Sequence, residues 1–106
     1  VLSNPMLVEG QMQGGIAHGI GKALFEWMGY DDDAQPVTTT FADYLLPTAT
    51  EIPNMTTLFK ETPSPLNPLG AKGAGEVSTI PTAAAIIGAI AMTIVGAVVN
   101  LVVPDR

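Results

Sequence analysis

The sequence predicts an α+β fold, and three observations predict it. Apolar residues recur at spacings of three and four over residues 10–29, the helical period. Two short runs, 37–46 and 55–61, carry the β-branched and aromatic residues of strands. From Val77 to Pro104 there is no charged residue, which marks a long apolar final element. The expected order is a glycine-bearing helix near residues 8–29, two or three short strands, a proline-rich loop, and a second helix from about Pro81.

The first helix is read from Met12, Ile16, Ile20, Ala23, Leu24 and Trp27, which share one face. Gly14, Gly15, Gly19 and Gly21 interrupt it. Each glycine costs roughly 1 kcal/mol relative to alanine in a helix interior. Four such losses imply close contact with another backbone, as in tight packing of the helix against a strand, or with a ligand, and both readings stay open. Tyr30-Asp31-Asp32-Asp33-Ala34-Gln35-Pro36 is a turn by composition. Its acidic triplet lacks the later ligands and the central glycine of a calcium loop, so a solvated turn is expected.

Val37-Thr38-Thr39-Thr40-Phe41 opens the first strand, which Pro47 ends; Leu58 and Phe59 lie in the second. Thr62-Pro63-Ser64-Pro65-Leu66-Asn67-Pro68-Leu69-Gly70 holds three prolines in six residues. Such a stretch is neither regular helix nor central strand, but a semi-rigid loop. Ser78-Thr79-Ile80-Pro81-Thr82 looks like a helix N-terminus with a cap and an early proline. The stretch from Thr82 to Val103 is long enough to span a bilayer, which takes about 20 apolar residues. Gly88, Gly96, Asn100, the alanine richness and the lack of a flanking basic cluster favour a buried helix, or a helix then a terminal strand, over a membrane span.

The 106 residues suffice for one small domain, so residues 1–106 are read as a single unit. Hydrophobic residues make up 47 % and charged residues 13 %, so part of the surface expects a covering partner. Together with an opening at Val1 rather than methionine, this suggests a piece of something larger. The net charge of −6, with no basic stripe, disfavours nucleic acid and anionic membrane surfaces. The absence of cysteine excludes disulfides and thiolate ligation of a metal or iron–sulfur cluster by this sequence. No signal-peptide pattern opens the chain, and a cytoplasmic location is expected.

His18 is the single histidine. Alone it cannot make a zinc site, so it is read as a structural hydrogen-bonding residue. Gly70-Ala71-Lys72-Gly73-Ala74-Gly75-Glu76 lacks the ending of a phosphate loop. Its small residues still offer consecutive amides to an anion or a polarised oxo group, with Lys72 adding positive charge. Glu76 stands at the entrance of the apolar stretch. A helix N-terminus stabilises its anion and desolvation opposes it, so the residue is either a poised base or a helix-end charge.

Four blocks in series resemble the xanthine oxidase family of molybdenum hydroxylases, and within it the carbon monoxide dehydrogenase large-subunit type. They are Asn4-Pro5 with Val8-Glu9-Gly10-Gln11; Gly14-Gly15-Ile16-Ala17-His18-Gly19-Ile20-Gly21; Phe41-Ala42-Asp43-Tyr44-Leu45-Leu46-Pro47-Thr48-Ala49; and Glu61 to Glu76. The resemblance covers about Asn4 to Glu76, in the family's order, and corresponds to the C-terminal portion of a much longer molybdopterin-binding large subunit. It implies that Glu76 is the catalytic base for the hydroxyl or water at the molybdenum. It implies that Lys72, Gly73, Ala74 and Gly75 line the molybdopterin, and that Gln11 hydrogen-bonds the cofactor. No residue of the chain is assigned as a metal ligand. The implied cofactor is molybdopterin cytosine dinucleotide with molybdenum, and copper in the carbon monoxide dehydrogenase type. The implied partners are the rest of the large subunit, an iron–sulfur subunit and an FAD subunit.

The implied substrates are carbon monoxide, an aldehyde or an N-heterocycle, and the chain alone is expected to be inactive and cofactor-free. The uniformly apolar stretch after Glu76 departs from the family, where a helix with polar and acidic residues follows. A second reading is therefore a non-catalytic remnant or interaction module that assembles, or self-associates, through its apolar C-terminal segment.

Overall fold

Asparagine followed by proline is a favourable helix start, because the asparagine side chain can take a free amide and proline has none to leave unpaired. In the computed structural model, which describes residues 4–102, α1 spans Pro5–Leu24. Asn4 is extended and its Oδ1 accepts the Leu7 N–H at 3.1 Å. The helix thus starts earlier than residue 8. It also stops well short of residue 29, because the Phe25 and Glu26 amides both turn back onto the Gly21 carbonyl at 2.9 Å. The Gly29 amide is taken by the Thr38 hydroxyl at 2.9 Å, and the Val37 amide by the Gly29 carbonyl, which closes a loop over 29–38.

The acidic triplet lies in a turn, as its composition indicates. Asp31 Oδ1 accepts the amides of Asp33 and Gln35 at 3.0 and 2.8 Å, and Ala34 takes a positive φ of 60°. The two expected strands are corrected: among the described residues there is no strand, only an isolated antiparallel bridge between Tyr30 and Pro36. Turn chemistry wins over β-propensity at Thr40, whose Oγ1 donates to Asp43 Oδ2 at 2.8 Å and accepts the Ala42 amide at 3.2 Å. Residues 53–64 take no regular secondary structure, and among the described residues no neighbouring segment supplies the ladder that would make them a strand. Thr57 instead donates its hydroxyl to Glu9 Oε1 on α1 at 2.8 Å.

The proline-rich loop closes on Gly70, whose φ of +63° suits glycine. Its carbonyl accepts the Ser64 amide at 3.1 Å, and Asn67 exchanges two hydrogen bonds with the Ala71 backbone.

The second helix, α2, spans Thr79–Val102. Pro81 sits in its first turn, where the missing N–H has no intrahelical acceptor to lose. The helix continues through Val102, so the terminal-strand option is not taken over the described residues, and Val103 lies outside them. The expectation of a buried helix is also corrected. Only Thr82 of α2 is buried, whereas Ile87, Ile90, Ile94, Val98 and Leu101 are exposed. At 1.5 Å per residue the helix is about 36 Å long. It is long and apolar enough to cross a membrane, by length and composition alone.

The two helices meet at their small residues. A Cβ on Gly15 would stand 2.1 Å from Ser78 Oγ, and one on Gly19 would stand 2.5 Å from Thr82 Cβ. The helix glycines at these two positions therefore serve close approach of a second helix, not of a strand. Ser78 Oγ donates to the Met12 carbonyl at 2.8 Å and Thr79 Oγ1 to the Gly15 carbonyl at 3.0 Å. No hydrophobic side chain among the described residues is buried, and the radius of gyration is 19.4 Å. A compact chain of about 100 residues would have roughly 13 Å.

Candidate active site

On α1, Gln11, Gly14, Gly15 and His18 fall three, four and seven residues apart, so they share one face. The hydroxyl contacts of Ser78 and Thr79 bring the preceding residues, Gly75 and Glu76, to that face. Together Gln11, Gly14, Gly15, His18, Gly75, Glu76 and Thr79 line a cleft of about 210 Å³. Gly14 and Gly75 add no bulk to it: a Cβ at either would meet nothing within 4 Å. Glu76 lies just before α2, and its carbonyl accepts the Thr79 amide at 3.1 Å. Its carboxylate is exposed, with Oε1 3.9 Å from Nδ1 of the half-exposed His18.

The remaining anticipated residues fall on a second concavity. Lys72, Gly73 and Ala74 line a groove of about 650 Å³ with Val8, Met12, Leu58 and Phe59. Lys72 Nζ donates to Thr62 Oγ1 at 2.8 Å, which ties the glycine-rich segment to the proline-rich loop. Gln11 and Met12, adjacent on α1, belong one to each concavity. The six anticipated residues thus divide into Gln11, Gly75 and Glu76 on the cleft, and Lys72, Gly73 and Ala74 on the groove.

The backbone between the two concavities suits an anionic group. Among the described residues, the amides of Gly73, Ala74, Gly75 and Glu76 donate to no protein acceptor. Backbone donors left free in a segment without bulky side chains can bind anions or polarised oxo groups. A Cβ on Gly10 or Gly73 would likewise meet nothing within 4 Å.

The molybdopterin cofactor-binding domain matches residues 1–53. The chain belongs to that family. It is 50 % identical over 88 residues to 6-hydroxypseudooxynicotine dehydrogenase complex subunit gamma of Paenarthrobacter nicotinovorans, covering 82 % of this chain and 11 % of the relative. It is 44 % identical over 92 residues to the carbon monoxide dehydrogenase large chain of Hydrogenophaga pseudoflava, covering 83 % and 12 %. Quinoline 2-oxidoreductase from Pseudomonas putida 86 matches in structure with a TM-score of 0.75 and 52 % identity, over 79 % of this chain and 11 % of that one.

The resemblance to molybdenum hydroxylases of the carbon monoxide dehydrogenase large-subunit type, read from the sequence, is borne out. The chain spans about one ninth of the length of these relatives. His18, read from the sequence as a structural hydrogen-bonding residue, lies on the cleft across from Glu76. The available signal was its position seven residues after Gln11 on the same glycine-lined helix face.

Proposed function

We propose that this chain forms part of the cofactor-binding wall of a molybdenum-dependent oxidoreductase and supplies Glu76 as its proton acceptor. One observation carries the reading: Gln11 and Glu76, 65 positions apart in sequence, line the same cleft against glycine backbone. When bound, the molybdenum–molybdopterin cofactor supplies two-electron oxidation chemistry. Gln11 would hydrogen-bond it, and Lys72, Gly73, Ala74 and Gly75 would present amides and one ammonium to its anionic groups. A Glu76 carboxylate oxygen would accept the proton of the hydroxyl or water that attacks the substrate.

The cofactor is read as the cytosine dinucleotide form, with copper added if the substrate is carbon monoxide. The remainder of the large subunit and iron–sulfur and FAD subunits complete the enzyme, in the cytoplasm. Without them the chain has a base but no redox centre, and is inactive. In the assembled, cofactor-loaded enzyme, Glu76→Gln should lower kcat by about 10²–10⁴ with molybdenum content unchanged, the range for losing a general base. Full turnover by that variant would refute the assignment.

A second reading draws on α2, whose apolar residues are exposed from Ile87 to Val102. Under it the chain is a non-catalytic module that assembles through this helix. Size-exclusion chromatography without detergent separates the two readings' demands on α2. Under this second reading the chain elutes as an oligomer or aggregate, and a monodisperse monomer excludes it.

A further inference from the structure

The Glu76 carboxylate has few constraints of its own. It is 84 % exposed, and among the described residues no hydrogen bond reaches it. A catalytic group must nevertheless be held within about 0.5 Å and 10–20° of its working geometry. Its backbone is held, because the hydroxyls of Ser78 and Thr79 fasten the following turn to α1. The three side-chain torsions beyond that backbone are left to whatever stands across the cleft.

What stands there is His18, with Nδ1 3.9 Å from Glu76 Oε1. The imidazole has two torsions, rises from the middle of α1, and follows Gly14 and Gly15 on the cleft-lining face. The separation of 3.9 Å is within ion-pair range and longer than a hydrogen bond, so contact at about 3 Å needs an approach of about 0.9 Å between the two side chains. We infer that His18 is a positioning residue for Glu76. Its Nδ1–H holds one carboxylate oxygen and leaves the other facing the cleft, where a proton can be accepted. The inference rests on the reading of Glu76 as base.

The chain's single histidine gives a direct measurement, since only one imidazole contributes to a long-range ¹H–¹⁵N correlation spectrum. In the full 106-residue chain, Glu76→Gln should move the His18 Nδ1 resonance, whereas Asp33→Asn in the 31–35 turn should not. In the assembled, cofactor-loaded enzyme, His18→Ala should lower kcat roughly ten- to a hundredfold, the scale of losing a base's alignment, with KM little changed. His18→Asn places an N–H donor near the Nδ1 position and should recover most of that loss.

An Nδ1 resonance indifferent to Glu76→Gln would overturn the inference, as would wild-type kcat in His18→Ala or equal defects in the alanine and asparagine variants. If Glu76→Gln itself retains turnover, the base reading fails and this inference falls with it. If Glu76→Gln is inactive while His18→Ala is fully active, the positioning role alone fails.

Discussion

Replacing Gly19 by alanine should destabilise the chain, although alanine is the better helix former by roughly 1 kcal/mol. The new methyl would lie 2.5 Å from Thr82 Cβ and 2.9 Å from both Thr82 Cγ2 and Oγ1. Ordinary contact begins near 3.4 Å. The helices must therefore separate by about 0.9 Å (3.4 − 2.5) or distort. A uniform separation of that size would stretch the Thr79–Gly15 bond from 3.0 to about 3.9 Å and the Ser78–Met12 bond from 2.8 to about 3.7 Å, past the limit for a hydrogen bond. Two lost bonds at about 1 kcal/mol each, with about 1–3 kcal/mol for overpacking, outweigh the propensity gain. The net expectation is a loss of about 2–4 kcal/mol. Urea unfolding of the 106-residue chain, followed by far-ultraviolet circular dichroism, measures it. Gly14→Ala is the control, because its methyl meets nothing within 4 Å and should be neutral or stabilising by up to about 1 kcal/mol. Equal midpoints for the two variants would refute the close-packing account of α1 and α2.

Further outcomes follow from single contacts. Thr79→Val keeps the shape and removes the donor to the Gly15 carbonyl, so it should cost about 1 kcal/mol in the same unfolding assay. Asn4→Ala removes the cap on the Leu7 amide and should cost about 1 kcal/mol, with faster hydrogen exchange at Leu7. Tyr44 donates its hydroxyl to Glu26 Oε2 at 2.5 Å, and this bond raises its pKa above the usual 10.0. The folded state favours the protonated phenol, so the associated stability is present below pH 10.0 and is lost as pH rises through the folded-state value. In a Tyr30→Phe background, phenolate absorbance should titrate above 10.0, and Glu26→Gln should lower the midpoint; an unmoved midpoint would count against the bond.

What was legible in the sequence was whatever local chemistry decides. The three- and four-residue spacing located α1, and the uncharged run located α2, because period and composition act within one element. Their ends were less legible, since Asn4 capping and the Gly21 carbonyl's two amides set the limits of α1. The strands failed for a different reason. Val37 to Phe41 has strand propensity, but pairing requires a neighbour, and Thr40 and Asp43 supplied a turn instead. Within the site, Glu76 stood out at a boundary visible in the sequence. Its pairing with His18 spans 58 positions and has no local trace.

The hydroxyl contacts between the helices have an asymmetry with a mutational consequence. Ser78 and Thr79 act through side chains, but their acceptors are the Met12 and Gly15 carbonyls, which are main chain. Substitution can delete the donors, yet no substitution can delete the acceptors. Met12 can therefore vary freely with respect to this fastening, while Gly15 and Gly19 cannot, because the absence of a methyl at each is what lets the two segments come this close. Sequence drift at this helix contact should accumulate at Met12 and spare Gly15, Gly19, Ser78 and Thr79. Any change that does pry them apart would move Glu76 and Gln11 relative to each other in one step.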